Sequence, residues 1–156
     1  MVKKHAWNNE QKSSIGVTYV VVDAVAPQTV LCYFTLATSS IPRDAFPKKQ
    51  VRGLPAYDLS LILLARLAVD HRFERKGLGT LLLKEAFKIS LNIVERVGCR
   101  CIITDAYPDK VGWYANYGFV LLEESTENNS TRRMFLDIRT LQLAAKSRAC
   151  SSWELV

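Results

Sequence analysis

The chain has 156 residues, of which 49% are hydrophobic and 23% are charged, as in a single globular domain with a substantial core. No apolar run approaches the roughly 20 residues that span a bilayer, and the polar, basic start lacks a signal-peptide pattern. These features argue against a membrane or secreted protein and favour the cytoplasm. The net charge of +6 favours polyanionic partners, although a merely basic protein would carry it too.

The four cysteines do not predict a metal site. Cys32, Cys99, Cys101 and Cys150 lack the C-x-x-C spacing of zinc ligands. Cys99 and Cys101 would lie on the same face of one strand, which suits packed thiols in a reducing compartment. We therefore expect no metal.

The first half of the chain predicts mainly strands. Residues 1–16 have no convincing period and could hold the frayed end of a helix and a linker. Two β-branched strands follow at Val17–Asp23 and Thr29–Thr38, joined by a short hairpin connection. Ser39–Ser60 contains three of the five prolines and several basic residues, so we interpret it as a long, exposed, basic loop. Leu61–Val69 has the length and apolar density of a buried central strand.

The second half alternates helices and strands. A helix with apolar periodicity begins at Leu78 and is expected to stop at Gly98, a natural residue to follow a helix end. Arg100–Ala106 predicts the next strand, and Pro108 begins a short helix that Gly118 ends.

The last part of the chain predicts a hairpin and a helix. Phe119–Glu123 and Arg132–Ile138 would pair across a polar hairpin, and a short helix with a loose end would follow from Arg139. The strand-helix-strand order in the middle implies a parallel pair of Leu61–Val69 and Arg100–Ala106 with a right-handed crossover. The fold class is therefore α/β, a mixed sheet without internal repeats or a domain boundary.

The segment between the central strand and the long helix has the chemistry of an anion site. Gly77 and Gly79 lack Cβ atoms, so several backbone N–H groups could converge on one anion at the start of a helix. Arg72, Arg75 and Lys76 add positive charge beside them. Two glycines at this spacing also fit an ordinary strand-to-helix turn, so the pattern alone leaves both interpretations open.

Two motifs together resemble a known family. ERKGLG at 74–79 resembles motif A of the GNAT superfamily of acetyl-CoA-dependent N-acyltransferases, Gln/Arg-x-x-Gly-x-Gly/Ala, with Glu74 departing from the usual first residue. WYANYGF at 113–119 resembles the F-Y-x-x-x-G-F stretch of the same enzymes, with Trp113 in place of the first Phe. The resemblance covers about residues 17–141. It implies the GNAT fold, a mixed and mostly antiparallel sheet whose two central parallel strands splay apart around acetyl-CoA.

The resemblance divides the chain into a leader (1–16), a GNAT domain (17–141) and a tail (142–156). It also implies roles for individual residues. Tyr114 would protonate the departing CoA thiolate, since a phenol near pKa ~10 is neutral at pH 7 and a thiol titrates near ~8.5. The structural alternative for Tyr114 is a core aromatic with a satisfied hydroxyl, and for Tyr117 we favour the core.

Acetyl-CoA would be held by the end of the central strand, the glycine loop and the short helix. Backbone N–H groups of the strand would stabilise the oxyanion of the attacked thioester. The implied cofactor-binding residues are Leu67, Ala68, Val69, Arg72, Arg75, Lys76, Gly77, Leu78, Gly79, Thr80 and Asn116.

No general base stands out in the sequence. Asp105, at a strand end, could accept a proton through water, but an N-cap or turn role fits it at least as well. His5 and His71 are expected to be solvated surface residues. A substrate α-amine would need no strong base, because α-amines titrate well below lysine.

One branch of the superfamily is more similar than the rest. TYVVVD, the strand ending in YFTLATSSIP, the basic loop and LLARLAVD resemble the GNAT toxins of bacterial toxin–antitoxin modules. These toxins acetylate the α-amine of aminoacyl-tRNA, block translation and are neutralised by a ribbon-helix-helix antitoxin. The sequence also leaves open whether this chain forms a homodimer. Under this resemblance, the residues that contact tRNA phosphates would be Arg43, Lys48, Lys49 and Arg52.

Two other functions remain open. An acetyltransferase of a small amine or a protein amine would need an acidic acceptor pocket, whereas the loop here is basic. A non-catalytic CoA- or RNA-binding module is also consistent with the sequence, because Glu74 departs from motif A. In addition, family members usually carry another strand and helix before the segment equivalent to Val17, so an acceptor or antitoxin surface could be missing.

Overall fold

The computed structural model describes residues 4–7, 15–122 and 130–149. The strands are β1 (Lys4–Trp7), β2 (Gly16–Val22), β3 (Val30–Ile41), β4 (Leu59–Val69), β5 (Cys101–Ala106), β6 (Val120–Leu121) and β7 (Arg132–Asp137). The helices are α1 (Lys48–Val51), α2 (Leu78–Val94), α3 (Val111–Ala115) and α4 (Ile138–Ala149). Single 3₁₀ turns at Arg43–Ala45, His71–Phe73 and Pro108–Lys110 precede α1, α2 and α3.

The strands form one sheet in the order β1-β2-β3-β4-β5-β7-β6. Every neighbouring pair is antiparallel except β4 and β5, which are parallel and are connected by α2. The predicted mixed α/β sheet with a central parallel pair is confirmed.

Each face of the sheet has its own apolar cluster. On the first face, α2 packs Leu82, Leu83 and Ala86 against β3, β4 and β5, and residues of α3 and α4 complete that cluster. On the second face, Phe46 and Val51 pack against the first residues of β4 and β5. Among the described residues, the long helix packs on the first face, and residues of the segment 42–58 cover part of the second.

The prediction that Ser39–Ser60 is an exposed loop is wrong. Its two ends extend β3 and β4, and Phe46 and Val51 are each only 5% exposed. Polar side chains hold the segment in place: Arg43 donates from Nη2 to the carbonyl of Val51 at 3.0 Å, and Arg100 donates to the carbonyl of Gln50 at 3.2 Å. The position of this segment therefore follows from the burial of its apolar residues Phe46 and Val51 against the sheet.

Other boundaries also differ from the predictions. Lys4–Trp7 pairs with β2 as a strand, whereas residues 1–16 were expected to hold a helix end. Helix α2 ends at Val94 rather than at Gly98, and Gly98 does not adopt a left-handed conformation. Val120–Leu121 is shorter than the strand predicted there, and most of the predicted hairpin loop lies in residues 123–129, outside the described part.

The start of the terminal helix α4 is capped by a side chain. Asp137 Oδ1 accepts the N–H of Arg139 at 2.8 Å, which satisfies one of the unpaired donors of the first turn. None of the helices in the described ranges is long and apolar enough to cross a membrane.

Candidate active site

The parallel pair at the centre of the sheet is hydrogen-bonded over a short distance only. Pairing runs from Ile62 and Ile102 to Leu64 and Thr104. Beyond these residues β4 stays paired with β3 as far as Val69, and β5 stays paired with β7 as far as Ala106. The two strands therefore part at their C-terminal ends, and we call this gap the fork.

A bulge marks the beginning of the fork. The register of β3 and β4 shifts between Leu64 and Arg66, so that Ala65 is the extra residue of β4. Bulges increase local twist and bend the strand that carries them. The half-buried residues that follow, Leu67 to Val69, bond to β3 on one side only among the described strands. Backbone groups that point into the fork can thus take a ligand.

The loop before α2 is curled by two left-handed residues. Arg75 has φ 58° and Gly77 has φ 80°, and a Cβ added to Gly77 would meet nothing within 4 Å. The first N–H bonded within α2 is that of Leu81, which donates to the carbonyl of Gly77 at 3.0 Å. The N–H groups of residues 78–80 therefore point out of the helix end, where the helix dipole adds positive potential. This end is suited to an anion.

The cationic side chains of the loop are not equally free. Arg72 donates from Nη2 to Asp70 Oδ2 at 2.7 Å, and the backbone N–H of Arg72 donates to Oδ1 of the same carboxylate. These hydrogen bonds hold the pKa of Asp70 well below its usual range. The charge of Lys76 lies 5.2 Å from the centre of the Phe73 ring. Arg72 is thus partly neutralised, while Arg75 and Lys76 remain exposed beside the helix end.

Tyr114 lies at the point where the fork begins. Its side chain is 8% exposed and makes T-shaped contacts with Trp113 at 4.9 Å and Phe119 at 5.4 Å. Its hydroxyl hydrogen-bonds with the side chain of Thr104, which in turn donates to the carbonyl of Leu64 at 3.1 Å. Burial raises the pKa of Tyr114, and the bond with Thr104 opposes that rise. The phenol therefore keeps its proton at neutral pH.

Known proteins are similar to this chain in sequence and in fold. No protein-family model matches the chain. A tRNA-acetylating toxin of Mycobacterium tuberculosis (strain ATCC 25618 / H37Rv) is 31% identical over 91 residues, which are 58% of this chain and 54% of that protein. The chain thus spans about half the length of this curated relative.

Solved structures extend the likeness. AtaT complexed with acetyl-methionyl-tRNAfMet has a TM-score of 0.74 and 25% identity, covering 84% of this chain and 76% of that one. A mutant AtaT bound to acetyl-CoA and to the C-terminus of the antitoxin AtaR has a TM-score of 0.65 and 21% identity, covering 83% and 72%. The chain has the fold of the GNAT toxins. The fold that the two sequence motifs imply is confirmed.

Within this GNAT fold, the predicted cofactor residues of β4 and of the start of α2 lie side by side, since a Cβ built on Gly79 would lie 3.9 Å from Val69. Leu67, Ala68 and Val69 form one wall, and residues 75–80 lie at the adjoining start of α2. Asn116 is exposed at the end of α3. The predicted acid, Tyr114, is at the inner end of the same gap.

Asp105 is engaged elsewhere, although it was expected to serve as a proton acceptor or a turn residue. It accepts from Arg133 Nε at 2.8 Å and from Nη2 at 3.1 Å, because β5 pairs with β7 at this position. His71 is exposed as expected, with 87% of its side chain accessible, while the side chain of His5 lies outside the described part.

The four residues expected to bind tRNA do not lie at the fork. Arg43 is half-buried, and its Nη2 donates to the carbonyl of Val51. The other three are exposed on α1 or just after it, and we call Lys48, Lys49 and Arg52 the basic set. They lie near the beginning of β4, and eight residues of extended strand, roughly 26 Å, separate Leu59 from the fork residue Leu67.

Two residues at the site were missed by the sequence analysis. Thr104 fastens β5 to β4 where the strands part, and its sign in the sequence was a hydroxyl side chain directly after the apolar residues Ile102 and Ile103. Arg66 is exposed on the face opposite α2, directly after the bulge at Ala65, and it makes no ion pair among the described residues. Its position in the apolar run of β4 was the signal.

Proposed function

We propose that the chain is an acetyl-CoA-dependent N-acetyltransferase that acetylates the α-amine of an aminoacyl-tRNA and thereby blocks translation. The observation that carries this proposal is the fork, which has a helix N-terminus suited to an anion at its mouth and a buried tyrosine at its inner end. Fold alone would not support a function, but this combination of groups suits thioester chemistry.

Each part of the site has a defined task in this proposal. The N–H groups of residues 78–80, with Arg75 and Lys76, bind the diphosphate of the donor. The free edge of β4 along residues 67–69 aligns the acyl-bearing arm, and a backbone N–H there stabilises the oxyanion. The amine nitrogen forms a bond to the acyl carbon, the carbon–sulfur bond breaks, and Tyr114 donates its proton to the leaving sulfur while the amine proton goes to solvent.

The choice of acceptor rests on charge and on similarity. The chain carries a net charge of +6, and the basic set and Arg66 lie exposed on one face of the sheet. AtaT, whose complex contains acetyl-methionyl-tRNAfMet, is similar over 84% of this chain. We therefore assign the body of a tRNA to the basic set and its aminoacyl end to the fork, in the cytoplasm.

An antitoxin partner is part of the same proposal. A mutant AtaT binds the C-terminus of its antitoxin AtaR, and this chain shares that fold. We propose a ribbon-helix-helix antitoxin as the neutralising partner, and its addition should abolish acetyl transfer to tRNA.

The experiment that tests the function uses labelled acetyl-CoA with charged tRNA, polyamines and a peptide panel in separate reactions. We expect label in charged tRNA and none in deacylated tRNA or in N-formylated aminoacyl-tRNA, which has no free amine. Label in polyamines or peptides only would reject the tRNA acceptor. Binding of CoA without any acetyl transfer would support the alternative of a non-catalytic module. The exposed Glu74 beside the helix end favours that alternative.

A further inference from the structure

The two motifs of the site are joined by one hydrogen bond between side chains. Thr80 Oγ1 and the hydroxyl of Tyr117 lie 2.6 Å apart, although the residues are 37 positions apart in sequence. The contact is partly buried, and the Tyr117 ring packs on Trp113 at 5.1 Å. A Cβ built on Gly79 would lie 3.5 Å from the same indole. The first turn of α2 and the end of α3 are therefore fastened side by side.

The two hydroxyls cannot both donate in this contact. A hydroxyl has one donor hydrogen and two acceptor lone pairs, so one of the two must accept. Thr80 belongs to the first turn of α2, whose free N–H groups suit an anion, whereas the Tyr117 hydroxyl is held against Thr80. If Tyr117 donates, the hydroxyl hydrogen of Thr80 is free to point toward the anion at the helix end.

We propose that Tyr117 is a positioning residue for the diphosphate of the acyl donor. Its O–H donates to Thr80 Oγ1, and Thr80 then donates its own hydrogen to a diphosphate oxygen. The inference rests on the proposed function and adds to it a residue that would otherwise count as core. Since Tyr114 lies in α3, three residues before Tyr117, the contact also fixes the spacing between the diphosphate and the proton donor.

The test compares two donors in wild type and Tyr117→Phe. Acetyl-CoA carries the diphosphate, whereas S-acetylpantetheine presents the same thioester without it. Loss of one orienting hydrogen bond should raise KM for acetyl-CoA about five- to tenfold. We expect KM for S-acetylpantetheine, and kcat with either donor, to stay within twofold of wild type.

Three controls separate positioning from a structural role. Equilibrium binding of coenzyme A against pantetheine repeats the comparison without an acceptor. In a Thr80→Val background, Tyr117→Phe should weaken coenzyme A binding no further, because the two residues act through one contact. Tyr19→Phe removes a hydroxyl from another half-buried tyrosine of the same core, stacked on Phe34, and should leave both KM values unchanged.

The outcomes distinguish this inference from the proposed function. If Tyr117→Phe weakens both donors equally, lowers kcat, or changes nothing, Tyr117 is only a packing residue and the inference is wrong. If wild type binds neither coenzyme A nor pantetheine, the proposed function fails and the inference fails with it. Wild-type binding with a penalty confined to coenzyme A supports both.

Discussion

Tyr114→Phe removes one oxygen atom from the inner end of the fork. The Phe ring keeps the contacts with Trp113 and Phe119, and Thr104 keeps its bond to the carbonyl of Leu64. Only the hydrogen bond between Tyr114 and Thr104 is lost, so the free energy of unfolding should fall by about 1 kcal/mol. The variant should therefore fold, and its coenzyme A affinity should stay within twofold of wild type.

Turnover should respond far more than stability does. A positioned general acid contributes about 10²- to 10⁴-fold to rate. We expect the lower end of this range, a loss of about 100-fold or roughly 2.7 kcal/mol of transition-state stabilisation. The reason is that a thiol titrates near pKa ~8.5, so its thiolate is a good leaving group even without a proton donor. The raised pKa of Tyr114 keeps the acid protonated through pH 9, so the ratio of wild-type to variant rate should be constant between pH 7 and 9.

Release of coenzyme A, measured under single-turnover conditions with charged tRNA, gives the rate, and urea unfolding gives the stability. Tyr57→Phe is the matched control, because Tyr57 is 68% exposed, lies in the segment 42–58 and should change neither quantity. A folded Tyr114→Phe variant with a rate within threefold of wild type would contradict the role of Tyr114 as acid and leave it as a core aromatic.

Three further changes test the loop, the basic set and the core. Gly77→Ala should lower the free energy of unfolding by about 1–2 kcal/mol and weaken coenzyme A binding, because φ 80° strains any residue with a Cβ. Gly112→Ala in α3, where φ is not positive, is the control and should be neutral or stabilising in the same thermal unfolding experiments. Reversing the basic set to Glu should weaken tRNA binding and flatten its dependence on salt, with coenzyme A binding as the control; an unchanged salt slope would exclude the basic set as a phosphate contact. Burial raises the pKa of Cys101 to about 12, so the thiol of the unfolded chain loses its proton first, and the free energy of unfolding should fall as pH rises from about 8.5 toward 12. Cys101→Ala should reduce this fall, measured by urea titrations at pH 8 and 10.5. An equal fall in the variant and in wild type would show that the thiol does not titrate as described.

The sequence predicted those parts of the fold whose signals are local. The β-branched and apolar runs gave β2, β3 and β4 to within a few residues, and the apolar period gave the start of α2 at Leu78. The curl of the loop followed from Gly77, since a left-handed residue before a helix favours glycine. Each of these signals depends on the chain within a few residues of itself.

The rest of the site depends on partners that are distant in sequence. The fork exists because β4 stays paired with β3 and β5 stays paired with β7 after the pairing of β4 with β5 has ended. No residue in LLARLAV indicates where that central pairing ends. The prolines of the segment 42–58 are typical of an exposed loop, whereas the burial of Phe46 and Val51 requires the second face of the sheet, which local sequence does not show.

The fork also limits which ligand can fill it. Parting two strands leaves inward-pointing N–H and C=O groups of residues 65–69 without a strand partner among the described residues, and such groups are costly if they are buried unpaired. A phosphate could satisfy the start of α2 but not an edge that offers donors and acceptors in alternation. A ligand with a diphosphate at one end and amide groups along an extended arm could satisfy both, by adding to β4 as a further strand would. Acetyl-CoA has this chemistry, and in the proposed function its thioester would lie at the inner end of the fork, next to Tyr114.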